Sequence, residues 1–336
     1  MELFLFLVEV VIKAFVVFAG VMLIAAYLTW AERKIAGRMQ VRYGPNRAGP
    51  FGLLQPIADA VKAFFKEDVI PGRADKVCFV IAPLIVMASA ISLFGVIPFG
   101  NKLVLFGREI KLVMADIDIG ILYIFALATI GEYGVVLGGW SSGSKYGLTG
   151  SLRAAALMIS YEVALGLSIM GVLLISQTLR LTDIVLGQGG GFWHWNVFLQ
   201  PVAFVLYMVC GLAEMSRIPF DMPETEAELA CGFNIEYSSM KFALLFLAEY
   251  VHMMAVCAVA VTLFLGGWQP LLPALSFIPG VIWFLIKLFV LVFFCIWERW
   301  TFPRLRYDQI MYFGWKFLFP LALINLVVTA TVLALR

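Results

Sequence analysis

Charge is scarce in this chain. Only 14% of its 336 residues are Asp, Glu, Lys or Arg, 62% are hydrophobic, and the mean hydropathy is +0.96. A soluble globular domain is excluded by those proportions. Ten-residue segments of alternating hydrophobicity are also missing, which excludes an outer-membrane barrel and leaves helices to satisfy the backbone in lipid. There are two histidines, His194 and His252, and five cysteines at 78, 210, 231, 257 and 295, never closer than 21 residues and with no CxxC. No zinc, haem or iron–sulfur ligand set can be assembled from local motifs, so no metal is expected on this chain and any redox cofactor belongs to another. Packing of reduced thiols inside helices accounts for the cysteines. The lack of an internal repeat argues against a carrier built from inverted halves. Low-complexity linkers are absent apart from the short run Gly187–Gly191, so 1–336 is expected to form one domain. The first apolar stretch has neither a basic leader nor a small-residue cleavage site, and a retained helix is expected there.

What the chain has instead is long apolar runs. Spans of about 20 such residues, enough for a hydrocarbon core of ~30 Å, recur eight times. They lie at about Leu3–Trp30, Val77–Phe99, Ile119–Trp140, Ala154–Ser176, Val197–Ala213, Phe242–Leu265, Ile278–Trp297 and Phe313–Leu335. The expected fold class is an all-α membrane protein of eight transmembrane helices. Trp30, Trp140, Trp268, Trp300 and Trp315 sit near span ends, as an interfacial belt requires. The loops after odd-numbered spans (31–76, 141–153, 214–241 and 298–316) hold 17 of the Lys and Arg residues, and those after even-numbered spans hold 4. The positive-inside rule then puts the basic loops in the cytoplasm and both termini on the periplasmic side.

Two of those loops carry distinctive chemistry. Residues 31–76 contain Gly-Pro pairs at 44–45 and 49–50, which forbid continuous helix, with Arg38, Arg42 and Arg47 beside them. After Pro56 a short amphipathic helix is expected. Ile57, Val61, Phe64 and Phe65 fall on one face, and Asp59, Lys62 and Lys66 on the other. That charged face either sits in interfacial water or lines an internal cavity. The second loop contains FDMPETEAELACGFNIEY, with five of the chain's 22 acids and no base. Pro219 and Pro223 would end one helix and start another with Asp221 as N-cap, which explains Asp221 and Glu224. It does not explain Glu226, Glu228 and Glu236. Glu224 and Glu228 at i,i+4 repel by ~0.2–0.5 kcal/mol, and crowding of this kind favours proton uptake.

Acids also fall inside the spans. Glu132, Glu162 and Glu249 lie within them, Glu214 closes the fifth, and Lys287 lies in the seventh. Each such charge costs ~2.5–3.5 kcal/mol at the bilayer centre even on the lenient insertion scale. A single buried Glu can pack helices through neighbouring hydroxyls, such as those of Ser160 and Tyr161 beside Glu162. The set as a whole points to a proton or ion path, and His252 would share the helical face of Glu249. These features fit a proton-coupled carrier, a channel component or the membrane module of a redox pump.

Specific wording narrows the choice. AERKIAGRMQVRYGPNRAGPFGLLQPIADAVKAFFKED, AEMSRIPFDMPETEAELACGFNIEYSSMKFALLFLAEY and WERWTFPRLRYDQIMYFGWK resemble three cytoplasmic segments of one family, the H-type membrane subunits of bacterial NADH–quinone oxidoreductase, respiratory complex I. GSLRAA followed by MISYEV resembles a fourth, although Leu157 stands where the family's AAQMISYE has Gln. Membrane subunits of hydrogenase complexes share the GP…LQP…D pattern, and GPNRAGPFGLLQPIAD is nearer to complex I. The resemblance covers essentially the whole chain. It implies a multi-pass protein of the bacterial inner membrane that shapes the quinone chamber and couples quinone reduction to proton pumping, without catalysis by the chain alone. It implies no cofactor bound here, quinone as substrate, and FMN and iron–sulfur clusters on partner subunits. The partners would be peripheral quinone-site and iron–sulfur subunits, small membrane subunits, antiporter-like subunits and the lipid bilayer, with no nucleic acid. By motif, Glu32, Arg33, Arg38, Asp59, Lys62, Arg217, Asp221, Glu224, Glu226, Glu228, Glu249 and Arg299 would belong to the chamber. Glu132, Glu162 and Glu214 would continue a proton path, and Arg42 and Arg47 would face the docked peripheral arm. The alternatives are a membrane anchor of a proton-pumping hydrogenase and an independent proton channel.

Overall fold

A computed structural model describes residues 2–105, 108–223, 230–272, 275 and 277–335. The apolar runs form helices: α1 Glu2–Met39, α2 Gln55–Phe65, α3 Lys76–Ser92, α4 Gly120–Ser141, α5 Lys145–Ser176, α6 Leu181–Gly187, α7 Asn196–Leu199, α8 Pro201–Glu214, α9 Ser239–Phe264, α10 Gly280–Arg299, α11 Tyr307–Phe313 and α12 Phe319–Ala334. A π-helical turn at Gly314–Leu318 makes α11 and α12 continuous. Seven of the described helical segments are long and apolar enough to cross a membrane.

The fifth expected span departs from a single long helix. It is broken at Gln200 (φ −133°, ψ 58°) into α7 and α8. Pro201 supplies the reason, since it lacks an N–H and disfavours helical geometry in the residue before it. The 14 residues of α8 reach only ~21 Å. A second departure lies in the loop after α3, where β1 Lys102–Leu105 pairs antiparallel with β2 Arg108–Lys111, setting Lys102 opposite Lys111. The described architecture is therefore helical with one small hairpin.

Helix α9 is the hub. Seventy-two per cent of its apolar window is buried within the chain, against 11% for α1, which lies at the periphery. Glycines bring α3 and α4 together. A Cβ on Gly134 would lie 2.6 Å from Val86 Cγ2, and one on Gly131 would lie 2.8 Å from Ser89 Oγ. Small residues at this spacing let helix backbones approach in lipid, where van der Waals contact has to replace the hydrophobic effect. Leu157 is fully buried in the main apolar cluster, so an apolar side chain is well accommodated at that position. Trp140 and Trp300 are exposed at helix ends as a belt would be, whereas Trp30 and Trp315 fall inside helices and Trp268 is buried.

Hydrogen bonds gather the loops into two sets. At one end Asp75 N–H donates to Ser141 O, Val69 N–H to Ser238 Oγ, and Leu305 N–H to Pro219 O. These tie together the four basic loops. At the other end Ala115 N–H donates to Gly95 O, Ile121 N–H to Leu179 O, and Arg180 grips Asp116 through two nitrogens.

Candidate functional site

The basic-loop end contains a buried ionic cluster. Glu32, on α1, is 4% exposed and accepts from Arg217 Nη1 at 2.8 Å and also from Arg299, the last residue of α10. Arg217 is 3% exposed and its guanidinium lies over the Tyr250 ring at 4.4 Å. Burial works most strongly against the Arg217 charge, but Glu32, Tyr250 and Glu249 together outweigh it and hold the guanidinium above its ordinary value. Three sequence-predicted residues separated by up to 267 positions thus meet in one cluster. Nearby in the chain, buried Asp221 pairs with Arg304.

Behind the turn that follows α8 lies a partly open cavity of about 70 Å³. Glu214 reaches it from the end of α8, Glu249 and His252 from α9, and Glu132 from α4, while Ser216 and Pro223 form part of its rim. His252 Nε2 is 3.6 Å from Glu214 Oε1. The volume has room for more than one water, and the carboxylates and imidazole on its wall offer such waters hydrogen-bond partners. The remaining walls are apolar, including Val86, Ala128 and Met158. One turn further along α4, Thr129 Oγ1 donates to Glu162 Oε1 at 2.7 Å. Glu162 is thereby bonded to α4 one turn from Glu132. The neighbouring hydroxyls named from sequence are engaged elsewhere, with Ser160 donating to Ala156 O and Tyr161 to Ile310 O. Chemically, four carboxylates and an imidazole in this order can pass protons between α9 and α5 wherever water bridges them.

The first loop builds a surface recess instead. Arg33, Arg42, Tyr43, Arg47 and Gln55 line a cavity of about 790 Å³. Arg33 also donates to Asp59 Oδ2 at 2.8 Å, and Gln55 holds the other oxygen at 2.9 Å. Helix α2 forms as expected after Leu54, one residue earlier than Pro56. Its apolar residues Ile57, Val61, Phe64 and Phe65 are all exposed, as are Lys62 and Arg38. Glu224, Glu226 and Glu228, and the short helix expected after Pro223, lie outside the described residues. Lys287 does not line the acid cavity; it sits at the opposite end of α9, against carbonyls of residues 265–269. Among the described residues no three His, Cys, Asp or Glu side chains converge to hold a metal ion.

Sequence reasoning missed Arg304, Tyr250 and Thr129. Arg304 stands in the quoted WERWTFPRLRYDQ run, where its basic character was a usable signal. Tyr250 and Thr129 gave none, since a Tyr or Thr within a span is ordinary.

The family profile described as NADH dehydrogenase matches residues 12–330. The second of the NADH-quinone oxidoreductase H subunits of Geobacter metallireducens is 53% identical, covering 98% of this chain and 96% of the relative. The first of those of Geobacter sulfurreducens is 52% identical over 99% of this chain and 97% of its own length. The H subunit of the same oxidoreductase in Frankia casuarinae is 49% identical over 96% of this chain and 72% of its own. With the profile spanning nearly all of the chain and identity near one half over its full length, this chain belongs to the NADH dehydrogenase family, among its H-type membrane subunits.

Proposed function

We propose that this chain is the membrane subunit of a proton-pumping NADH–quinone oxidoreductase that forms the membrane part of the quinone chamber. It couples reduction of the quinone to proton movement. The observation that carries this reading is the convergence of Glu132, Glu214, Glu249 and His252 on one cavity whose lining reaches Pro223, within the acidic stretch and directly before Glu224. Quinone reduction consumes two electrons and two protons, so a chamber wall continuous with a row of carboxylates can supply protons and respond to the charge formed. The Glu32–Arg217–Arg299 cluster makes a rigid wall, with Asp221 and Arg304 beside it. The electrons arrive from FMN and iron–sulfur clusters on partner subunits, and the isolated chain has no turnover.

In this reading the chain crosses the bacterial inner membrane eight times, residues 196–214 making the fifth crossing as the broken pair α7 and α8. Both termini are periplasmic. The recess with Arg33, Arg42 and Arg47 faces the peripheral quinone-site and iron–sulfur subunits, and the Glu162 side leads toward the small and antiporter-like membrane subunits. Glu214→Gln tests it. The assembled complex should keep NADH oxidation by an artificial acceptor. Its quinone turnover should fall by about a hundredfold, the lower end of what a positioned proton-transfer group contributes. Undiminished quinone turnover and proton uptake in proteoliposomes would overturn the coupling role.

A further inference from the structure

A membrane lysine without a carboxylate partner needs another source of negative potential, and the far end of α9 supplies it. Lys287, on α10, is 6% exposed. Its Nζ donates to Leu265 O at 2.7 Å, Gly267 O at 3.0 Å and Gln269 O at 2.7 Å, and it lies 4.0 Å from the centroid of the Trp195 ring. Three acceptors match the three protons of an ammonium group. No carboxylate pairs with it among the described residues. The cation is held by carbonyl dipoles, by the negative end of the α9 helix and by an aromatic face.

The backbone that offers these carbonyls is fastened by bonds in which Lys287 takes no part. Leu265 N–H and Gly267 N–H both donate to Val261 O, Gln269 N–H donates to Gly266 O, and Gly266 N–H donates to Gln188 Oε1. Gln269 Nε2 donates in turn to Val185 O at 2.9 Å. Two further open carbonyls at the helix end are taken by side chains, Thr262 O by Gln188 and Leu263 O by Asn196. Gly266 and Gly267 turn the chain with φ of 70° and 53°. A Cβ on Gly266 would lie 2.5 Å from Trp195 Nε1, and one on Gly267 2.7 Å from Val185 Cγ2. Both positions therefore require glycine, for conformation and for space. The result is a preorganised ring of oxygens, of the kind that replaces the hydration shell of a monovalent cation.

We infer that the FLGGWQ turn at the end of Ser239–Phe264 is a binding site for a monovalent cation of ammonium or potassium size, and that the tethered ammonium of Lys287 is its resident occupant. Lys287 is thereby a structural cation that locks the end of the hub helix, separate from the acid series at Glu249 and His252. Removing the side chain while leaving room should turn a tethered cation into an exchangeable one. The assembled complex carrying Lys287→Ala is heated in ammonium, potassium or tetramethylammonium chloride at equal ionic strength. In tetramethylammonium, which is too large for the ring, its thermal transition should fall below the wild-type value. Ammonium or potassium should raise it in a concentration-dependent way. Lys287→Met, which fills the space without a charge, should show the lowered transition and no response to either cation. An alanine complex indifferent to cation identity would overturn the inference, and so would a methionine complex as stable as wild type. If the alanine complex does not survive purification, its assembled yield on native gels is compared between cells grown with and without methylammonium. A higher yield supports the site, and an equal yield overturns it.

Discussion

At the scale of single residues, the most consequential placement is Glu32 between two guanidinium groups. A buried ion pair is poor evidence of net stability, because desolvation offsets the attraction. Breaking one is another matter, since the survivor stays buried and charged. Glu32→Gln should therefore destabilise the protein by about 3–5 kcal/mol, read as a lowered thermal transition of the assembled complex. Adding Arg217→Met to Glu32→Gln should restore much of that loss, because Met removes the stranded charge and keeps an apolar stem against Tyr250. If the double variant is as unstable as the sum of its single changes, Glu32 and Arg217 are not energetically coupled. Glu32, Arg217 and Arg299 were each legible in the sequence through the motifs around them. Their meeting was not, because the partners lie 185 and 267 positions apart and no local pattern records which helices stack.

Among the elements, helix existence was the most legible property and helix continuity the least. An apolar run of sufficient length marks α3, α4, α5, α9 and α10 without further help, since lipid leaves the backbone no other choice. Hydropathy alone counts the stretch 197–213 as another full crossing, yet Pro201 breaks it at Gln200 and leaves the short α8. The proline was visible, but at a helix start it is tolerated, so its position had to be judged against a boundary the hydropathy did not supply. The β1–β2 hairpin was hidden for a different reason: two four-residue strands between apolar spans fall below any periodicity signal. Close packing of α3 on α4 leads to a second prediction. Gly134→Leu places a branched side chain where even a Cβ would stand 2.6 Å from Val86. It should cost about 1–3 kcal/mol through overpacking and displace the wall that carries Glu132. Val86→Ala in the same chain should recover part of that stability. A Gly134→Leu variant that melts like wild type would mean that the two helices separate at no cost.

At the scale of the whole molecule, the acids of the spans form a series across it rather than a scatter. Glu249 and His252 stand on the hub helix, Glu214 at the end of α8, Glu132 on α4, and Glu162 on α5, bonded to Thr129 one turn from Glu132. The sequence supplied the members and the cost of burying them, while the order and the Thr129 link came only from how α4 packs on α5. Glu162 is the test of whether the proposed path continues past the cavity. Its carboxylate accepts one hydroxyl at 2.7 Å, a bond that the amide oxygen of Gln can accept equally well. Glu162→Gln should thus preserve shape, assembly and the thermal transition while removing a group that can gain and lose a proton. In a tightly coupled pump the redox step stalls when protons cannot move, so NADH–quinone turnover and proton uptake in proteoliposomes should fall together. Glu162→Asp should retain part of both, because it keeps the carboxylate and only shortens its reach. Thr129→Val separates the two roles open to Glu162. If the residue only packs helices, Thr129→Val and Glu162→Gln should each alter stability slightly and leave turnover intact. If it carries protons, Glu162→Gln should abolish pumping without loss of stability, whereas Thr129→Val should slow it by loosening the carboxylate's position. A Gln variant that pumps like wild type would end the path at Glu132 and make Glu162 a packing residue.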